Sequence, residues 1–417
     1  MPVALTGTMS ADADLGRWER LPRLREMLAK VGVSNTFWQE RLDGGTAPNN
    51  LEEYRKLPLT SNHDLSADQI RHPPFGSNLS EPLGSYSKYH QTSGTTGKPL
   101  LVLDTPQSWD WWCDCWDSVL DVCGLRDDDR AFFAFSYAPF IGFWSAHDAM
   151  ARRGILSVSG GGAHTLRRLQ LLQDLECTLL FATPTYSLHM AAVAEEHGMD
   201  TAKTSIRSVI LAGEPGGSIP ATRHRIEEAW GAHVFDHAGA SEVGAYGLPC
   251  PNGRGVFMNE REFIAEVLAV NSEEPVADGD TGELVITNLG RPCCPVIRYR
   301  TGDLVRPRRL PEGLLLEGGI LGRVDQMMLI RGVNLHPSAI EEAVRRAAGR
   351  AEFRITVTRE GAMDEAEVEV EASPEACRLI AEDVSSTFGV RVGVRDVERD
   401  SLPRWQAKAK RFRDLRG

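Results

Sequence analysis

The stretch Ser93-Gly94-Thr95-Thr96-Gly97-Lys98-Pro99 gathers small residues, hydroxyls and an ammonium into a single loop. Gly94 and Gly97 remove the side chains that would keep backbone N–H groups away from an anion, while Ser93, Thr95 and Thr96 add hydroxyl donors and Lys98 adds positive charge. A loop of this kind can cradle phosphates, which points to an enzyme that uses ATP. It is not a Walker A loop, because that pattern needs glycine and a hydroxyl residue where this chain has Thr92 and Pro99. Taken alone it would also suit a flexible surface turn, so the reading depends on the rest of the chain.

Further segments come in order: Ala212-Gly213-Glu214-Pro215, Ala238-Gly239-Ala240-Ser241-Glu242, Tyr299-Arg300-Thr301-Gly302-Asp303, Gly322-Arg323-Val324-Asp325, and Leu402-Pro403-Arg404 with Lys408-Ala409-Lys410-Arg411. With these motifs the chain resembles the phenylacetate-CoA ligase branch of the adenylate-forming acyl-CoA synthetases over nearly its whole length. So many matches in the family order are hard to reach by chance.

The resemblance implies a role for each segment. Ser93 to Lys98 would bind the ATP phosphates, and Glu242 would hold magnesium, which suits a hard carboxylate oxygen. Asp303 would accept the ribose hydroxyls, with Arg323 beside it. Gly213, Glu214 and Pro215 would border the adenine, with Asp236 nearby. Lys408 would bridge the attacking carboxylate and the α-phosphate, since an ammonium on a long stem can reach into a closed cleft. Asp325 would mark the hinge about which a lid swings. Two departures stand out: Ala407 where the family usually has glycine, and Ala238 where it often has an aromatic residue.

By family position the acid would lie among Tyr137, Ala138, Phe140, Gly160, Gly161, Thr185, Tyr186, His237, Ala238 and Gly239. Aromatic rings and glycines leave room for a flat group, so an aryl or arylalkyl acid is expected. The implied reaction joins acid and ATP into an acyl-adenylate with release of pyrophosphate, after which coenzyme A displaces AMP. Within the same fold the acceptor could instead be an amine or a carrier-protein thiol, or the activated acid could be nitrite for aryl-amine diazotisation. A catalytically inactive ligand-binding homologue is the reading from another class, and the joint presence of Lys98, Glu242, Asp303 and Lys408 argues against it. A homodimer is an expectation from the family.

Composition agrees with a globular enzyme: 417 residues with 42% hydrophobic and 25% charged leave material for two or more cores. A formal net charge of −12 disfavours nucleic acid and anionic membranes as partners. The absence of a long apolar run and of a basic-then-apolar leader gives a cytoplasmic expectation. The 8 cysteines include no Cys-x-x-Cys pair, and Cys250 is followed by no Cys or His before Cys293, so neither a disulfide framework nor zinc is expected.

The elements that must position these residues form an α/β fold. Helices and short apolar runs alternate from Trp109 to Leu211, which predicts crossover units and a mainly parallel sheet with ligands at the strand ends. A helical lead spans Leu15 to Leu42. After Glu262, strands and turns predict an antiparallel, barrel-like subdomain. Residues 1–324 thus form a large adenylate-forming domain of several subdomains, and residues 325–417 a small, mobile α+β lid. Within the lid, Glu365, Glu367, Glu369 and Glu371 alternate as a solvated strand face.

Overall fold

Leu179–Ala182 and Ser208–Leu211 carry no polar-apolar alternation, and every residue in both strands is buried. Strands of that kind must be covered on both faces. They form the centre of a five-stranded sheet with the order Leu156–Ser159, Arg130–Phe133, Leu179–Ala182, Ser208–Leu211, His233–Asp236, and every neighbouring pair is parallel. The computed structural model describes residues 20–42, 47–92, 99–135, 141–330, 333–360, 363–404 and 409–416.

Successive residues of these strands feed opposite cores, as the pleat requires. Phe132, Leu180 and Val209 pack with Tyr186, Ile226 and Trp230 on one side, whereas Phe133, Phe181 and Ile210 meet Trp116 and Phe143 on the other. Helix Pro106–Val122 supplies that second face. Thr105 caps it by accepting from the Ser108 N–H, and Pro106 occupies its first turn. Its Trp109, Trp111, Trp112 and Trp116 are buried together with Cys113 and Cys115, so this Cys- and Trp-rich run is a packing face. All eight cysteines are free thiols. No helix among the described residues is long and apolar enough to cross a membrane.

Two expectations change in form. The N-terminal lead is two helices, Leu21–Ser34 and Thr36–Leu42. Asn35 separates them, accepting from the Trp38 N–H at 3.2 Å while donating to Asn78 and Ser80 at 3.0 Å each. The region after Glu262 is built of mainly antiparallel sheets, with Thr60–Ser61 joining Tyr299–Val305 in parallel, and among the described residues the strand paths do not close. One runs Thr60–Ser61, Tyr299–Val305, Gly282–Asn288, Phe263–Leu268, with Gly322–Arg323 also on Tyr299–Val305; the other runs Pro307–Leu310, Gly313–Glu317, Gly255–Met258, Gly247–Pro249.

Beyond Asp325 a separate core draws only on residues from Met328 to Phe412. Its sheet has the order Gly393–Asp396, Met363–Val370, Phe353–Glu360, Phe412–Asp414, with helices Pro337–Ala348 and Pro374–Phe388. The glutamate face is only half solvated. Glu365 and Glu367 are exposed, but Glu369 is buried against Arg354 and Arg395, and Glu371 pairs with Arg404 at 2.6 Å.

One buried ion pair ties the large domain together. Arg291 Nε and Nη2 each donate to Asp104 at 2.7 Å, and neither side chain has exposed surface. Removing one partner strands an uncompensated charge, which costs about 3–5 kcal/mol. Arg291→Met should therefore lower stability by that amount in chemical denaturation, and adding Asp104→Leu should restore part of the loss.

Candidate active site

Strand His233–Asp236 ends at the carboxyl edge of the parallel sheet, and the chain then folds back through a bridge between Ala240 and Gly244. Gly244 makes that return feasible: its φ is +135°, and a Cβ there would lie 2.7 Å from Phe263 and 2.8 Å from Trp111. The Ser241 carbonyl accepts from Arg291 Nη1 at 3.0 Å, so the buried ion pair also sets the backbone just before Glu242. Glu242 itself accepts from the Tyr299 hydroxyl through Oε1 at 2.8 Å. It lines a shallow cleft together with Leu100, Arg291 and Cys294.

Tyr299 opens the strand Tyr299–Val305 that presents Asp303. Gly302, at φ +74°, leaves space for Arg323, whose Nη2 would be 2.6 Å from an added Cβ. Arg323 Nη1 donates to the Thr301 carbonyl at 2.7 Å and to Asp303 Oδ1 at 3.1 Å, and Nε lies 3.5 Å from Asp325. The Tyr246 hydroxyl reaches Asp303 Oδ2 at 3.4 Å. Asp303, Arg323 and Asp325 are thus brought together, and Glu242 is tied to the first residue of the strand that carries Asp303. Burial and then the adjoining carboxylates push both phenols well above their ordinary value, so each stays a hydrogen-bond donor.

Asp236, the last residue of its strand, is buried and accepts from the Ser218 hydroxyl at 2.5 Å. Burial raises its carboxyl to about 6, with the Ser218 hydrogen bond opposing. Gly213 turns at φ +95°, and Pro215 follows Glu214 at partial exposure. The Glu214 side chain points elsewhere than to a base-binding edge: its two oxygens accept the backbone N–H groups of Thr185 and Ala409 at 2.7 Å each. Arg411 Nη1 donates to Thr185 Oγ1 at 2.8 Å.

The residues expected around the acid fall into different settings. His237 is buried, its Nδ1 donating to the Gly247 carbonyl at 2.7 Å and its ring 4.2 Å from Trp116. Ala238 is buried beside it, while Gly239 is exposed. Gly160 is a close-packing position, since a Cβ would meet Phe132 at 2.9 Å, and Gly161 is exposed. Tyr186 lies in the second core with its hydroxyl 3.1 Å from Thr165, and Thr185 faces Arg411; neither placement supports a role against the acid. Ser93, Gly94, Thr95, Thr96, Gly97, Lys98, Tyr137, Ala138, Phe140 and Lys408 lie outside the described residues.

Sequence reasoning missed Arg291 and Tyr246, and gave Tyr299 and Arg411 no part. Both of the latter carried a signal, as residues of recognised motifs. Among the described residues no three His, Cys, Asp or Glu side chains form a metal-holding group.

A parallel sheet with Glu242 beyond its carboxyl edge, a second sheet that presents Asp303, and a separate small α+β unit are the architecture of an adenylate-forming enzyme, as the relatives are. Residues 332–416 match the family model of the AMP-binding enzyme C-terminal domain. The chain is 30% identical to the phenylacetate-coenzyme A ligase of Escherichia coli (strain K12), over 96% of this chain and 91% of that protein. It is 32% identical to that of Aromatoleum evansii, over 97% and 96%. The chain belongs to the phenylacetate-CoA ligase family. Among solved structures it superposes on 2-hydroxyisobutyryl-CoA ligase in the postadenylation state with a TM-score of 0.89, at 28% identity over 98% of this chain and 91% of that one. Against the same relative in the thioesterification state the score is 0.72, at 29% identity and the same coverage.

Burial pushes His237 down to about 4, with its bond to Gly247 opposing. Between the ordinary 6.5 and that value the unfolded chain binds a proton that the fold excludes, so stability falls as pH drops through this window, by up to ~3 kcal/mol for this residue. Asp236 acts in the opposite sense, taking up a proton on folding below about 6. His237→Asn should therefore show a shallower loss of stability from pH 6.5 to 4 than the parent, measured by urea denaturation across that range.

Proposed function

We propose that the protein activates a carboxylic acid with ATP through an acyl-adenylate and then transfers the acyl group to coenzyme A. The observation that carries this reading is that one strand, Tyr299–Val305, both orients Glu242 through the Tyr299 hydroxyl and presents Asp303, which Tyr246 and Arg323 hold. An adenylating enzyme has to neutralise phosphates and fix a ribose within one site, and most of its rate comes from that positioning.

In this reading Asp303, oriented by Arg323 and Tyr246, accepts the ribose hydroxyls, and Gly213 to Pro215 border the adenine near Asp236. Glu242 suits magnesium: Tyr299 occupies Oε1, leaving Oε2 without a partner among the described residues, and magnesium commonly uses one or two carboxylates plus substrate phosphates. When bound, the ion would neutralise phosphate charge. Ser93 to Lys98 cover the phosphates, and Lys408 stabilises the charge that develops as the acid oxygen attacks the α-phosphate. Residues 325–417 act as the lid, with Asp325 at the hinge.

We take the acid to be aryl or arylalkyl. Its support is the phenylacetate named for the relatives and the Trp116 and Phe143 rings packed near buried His237. A short branched hydroxy acid is the second reading, favoured by the high TM-score with a ligase that acts on 2-hydroxyisobutyrate and by Ala238 in place of an aromatic residue.

Pyrophosphate release with a panel of aryl and short hydroxy acids, with and without coenzyme A, tests the activity: aryl acids should react, and a thioester should appear only with coenzyme A. Adenylate without any thioester would sink the transfer step. Lys408→Ala should abolish adenylate formation while the circular dichroism spectrum is kept. Asp303→Ala should raise the KM for ATP about 10–100-fold through lost charged hydrogen bonds, with the KM for the acid nearly unchanged.

A further inference from the structure

We propose that Glu214 is a positioning residue for the C-terminal tail: its carboxylate, forked between the Thr185 and Ala409 N–H groups, latches the tail to the large domain in the geometry that forms the adenylate. The inference rests on the adenylating reading of the site.

Glu214 belongs to the large domain, yet one of its oxygens is spent on each unit. Oε1 accepts from Thr185 at the start of helix Pro184–Glu196, and Oε2 accepts from Ala409 of the tail, both at 2.7 Å. Bonds from an N–H to a carboxylate are about twice as strong as neutral ones, and the helix start favours the negative charge.

Arg411 closes the fork from the lid. Its Nη1 donates to Thr185 Oγ1 at 2.8 Å, its Nε and Nη2 donate to Glu352 at 2.5 and 3.1 Å, and Glu341 lies 3.9 Å away. The Arg411 carbonyl in turn accepts from Ile355 N at 2.7 Å, so the lid sheet fixes this part of the tail. Other bonds between the units include Ser338 Oγ donating to the Leu321 carbonyl and Thr222 Oγ1 donating to Glu341 at 3.5 Å. Arg350–Glu195 at 2.7 Å and Arg399–Glu196 at 3.7 Å join largely exposed side chains, and exposed pairs contribute little.

Rotation of the lid away from this arrangement must break the Ala409 and Arg411 bonds together, because their partners stay with the large domain. The lower TM-score against the thioesterification state of the relative marks a difference in arrangement between the two structures. Glu214→Gln keeps the size but offers one oxygen and one NH₂ to two N–H donors, so one bond is lost and replaced by repulsion.

The test uses the full chain as wild type, Glu214→Gln, and Glu195→Gln as the exposed-bridge control. Single-turnover pyrophosphate release should fall about 10-fold or more in Glu214→Gln, while thioester formation from a prepared acyl-adenylate and coenzyme A stays within about 3-fold and the control is unaffected in both. An equal loss in both half-reactions, or none in the first, overturns the proposal. Hydrogen exchange without substrate gives a readout independent of activity: peptides covering residues 409–411 should exchange faster in Glu214→Gln, and unchanged exchange also overturns it. If the wild type activates no acid, the functional reading fails and the exchange result alone decides the latch.

Discussion

Arg291 holds three separate parts of the large domain with one guanidinium. Two of its nitrogens grip Asp104, at the end of the strand that follows the phosphate loop; a third takes the Ser241 carbonyl just before Glu242. The cation also lies 5.7 Å from the centre of the Trp112 ring. With no side-chain exposure on either partner, the pair is costly to desolvate and adds little net stability. Its value is geometric, because any other arrangement of these segments would strand a buried charge. The strand Leu101–Asp104 and the turn that carries Glu242 therefore have one common anchor beneath them.

From that anchor the carboxylates are arranged by phenols rather than by opposite charges alone. Tyr299 and Tyr246 are kept protonated by burial and by the acids they serve. Each can orient a carboxylate without consuming its negative charge, which leaves Glu242 suited to a cation and Asp303 to hydroxyl donors. Arg323 is the exception, and it spans Asp303 and Asp325, where the large domain ends. Thus Asp303 is coupled directly to the segment that leads into the C-terminal unit.

Much of this was legible in the residues. The runs Leu179–Ala182 and Ser208–Leu211 read as buried strands because nothing polar interrupts them, and Gly302 before Asp303 marked a turn that a side chain would obstruct. Asn35 was less visible, since a helical period continues across it and only its bonds to Asn78 and Ser80 reveal a break. The open sheets after Glu262 were read as barrel-like because strand spacing is similar in both. Glu369 read as solvated because alternation reveals a face but not the Arg395 that covers it.

The sequence by itself determined the parallel α/β core, the small second unit and the order of chemistry-bearing segments, since these follow from local periodicity and from glycines whose backbone demands are local. Only the tertiary structure decided which groups meet. Asp104 finds Arg291 across 187 positions, and Glu214 finds Ala409 across 195. The same is true of ionisation: His237 is neutral and Asp236 holds its proton more tightly because other parts of the chain exclude water from them. Desolvation and long-range pairing depend on what packs over a residue, and no spacing along the chain encodes that.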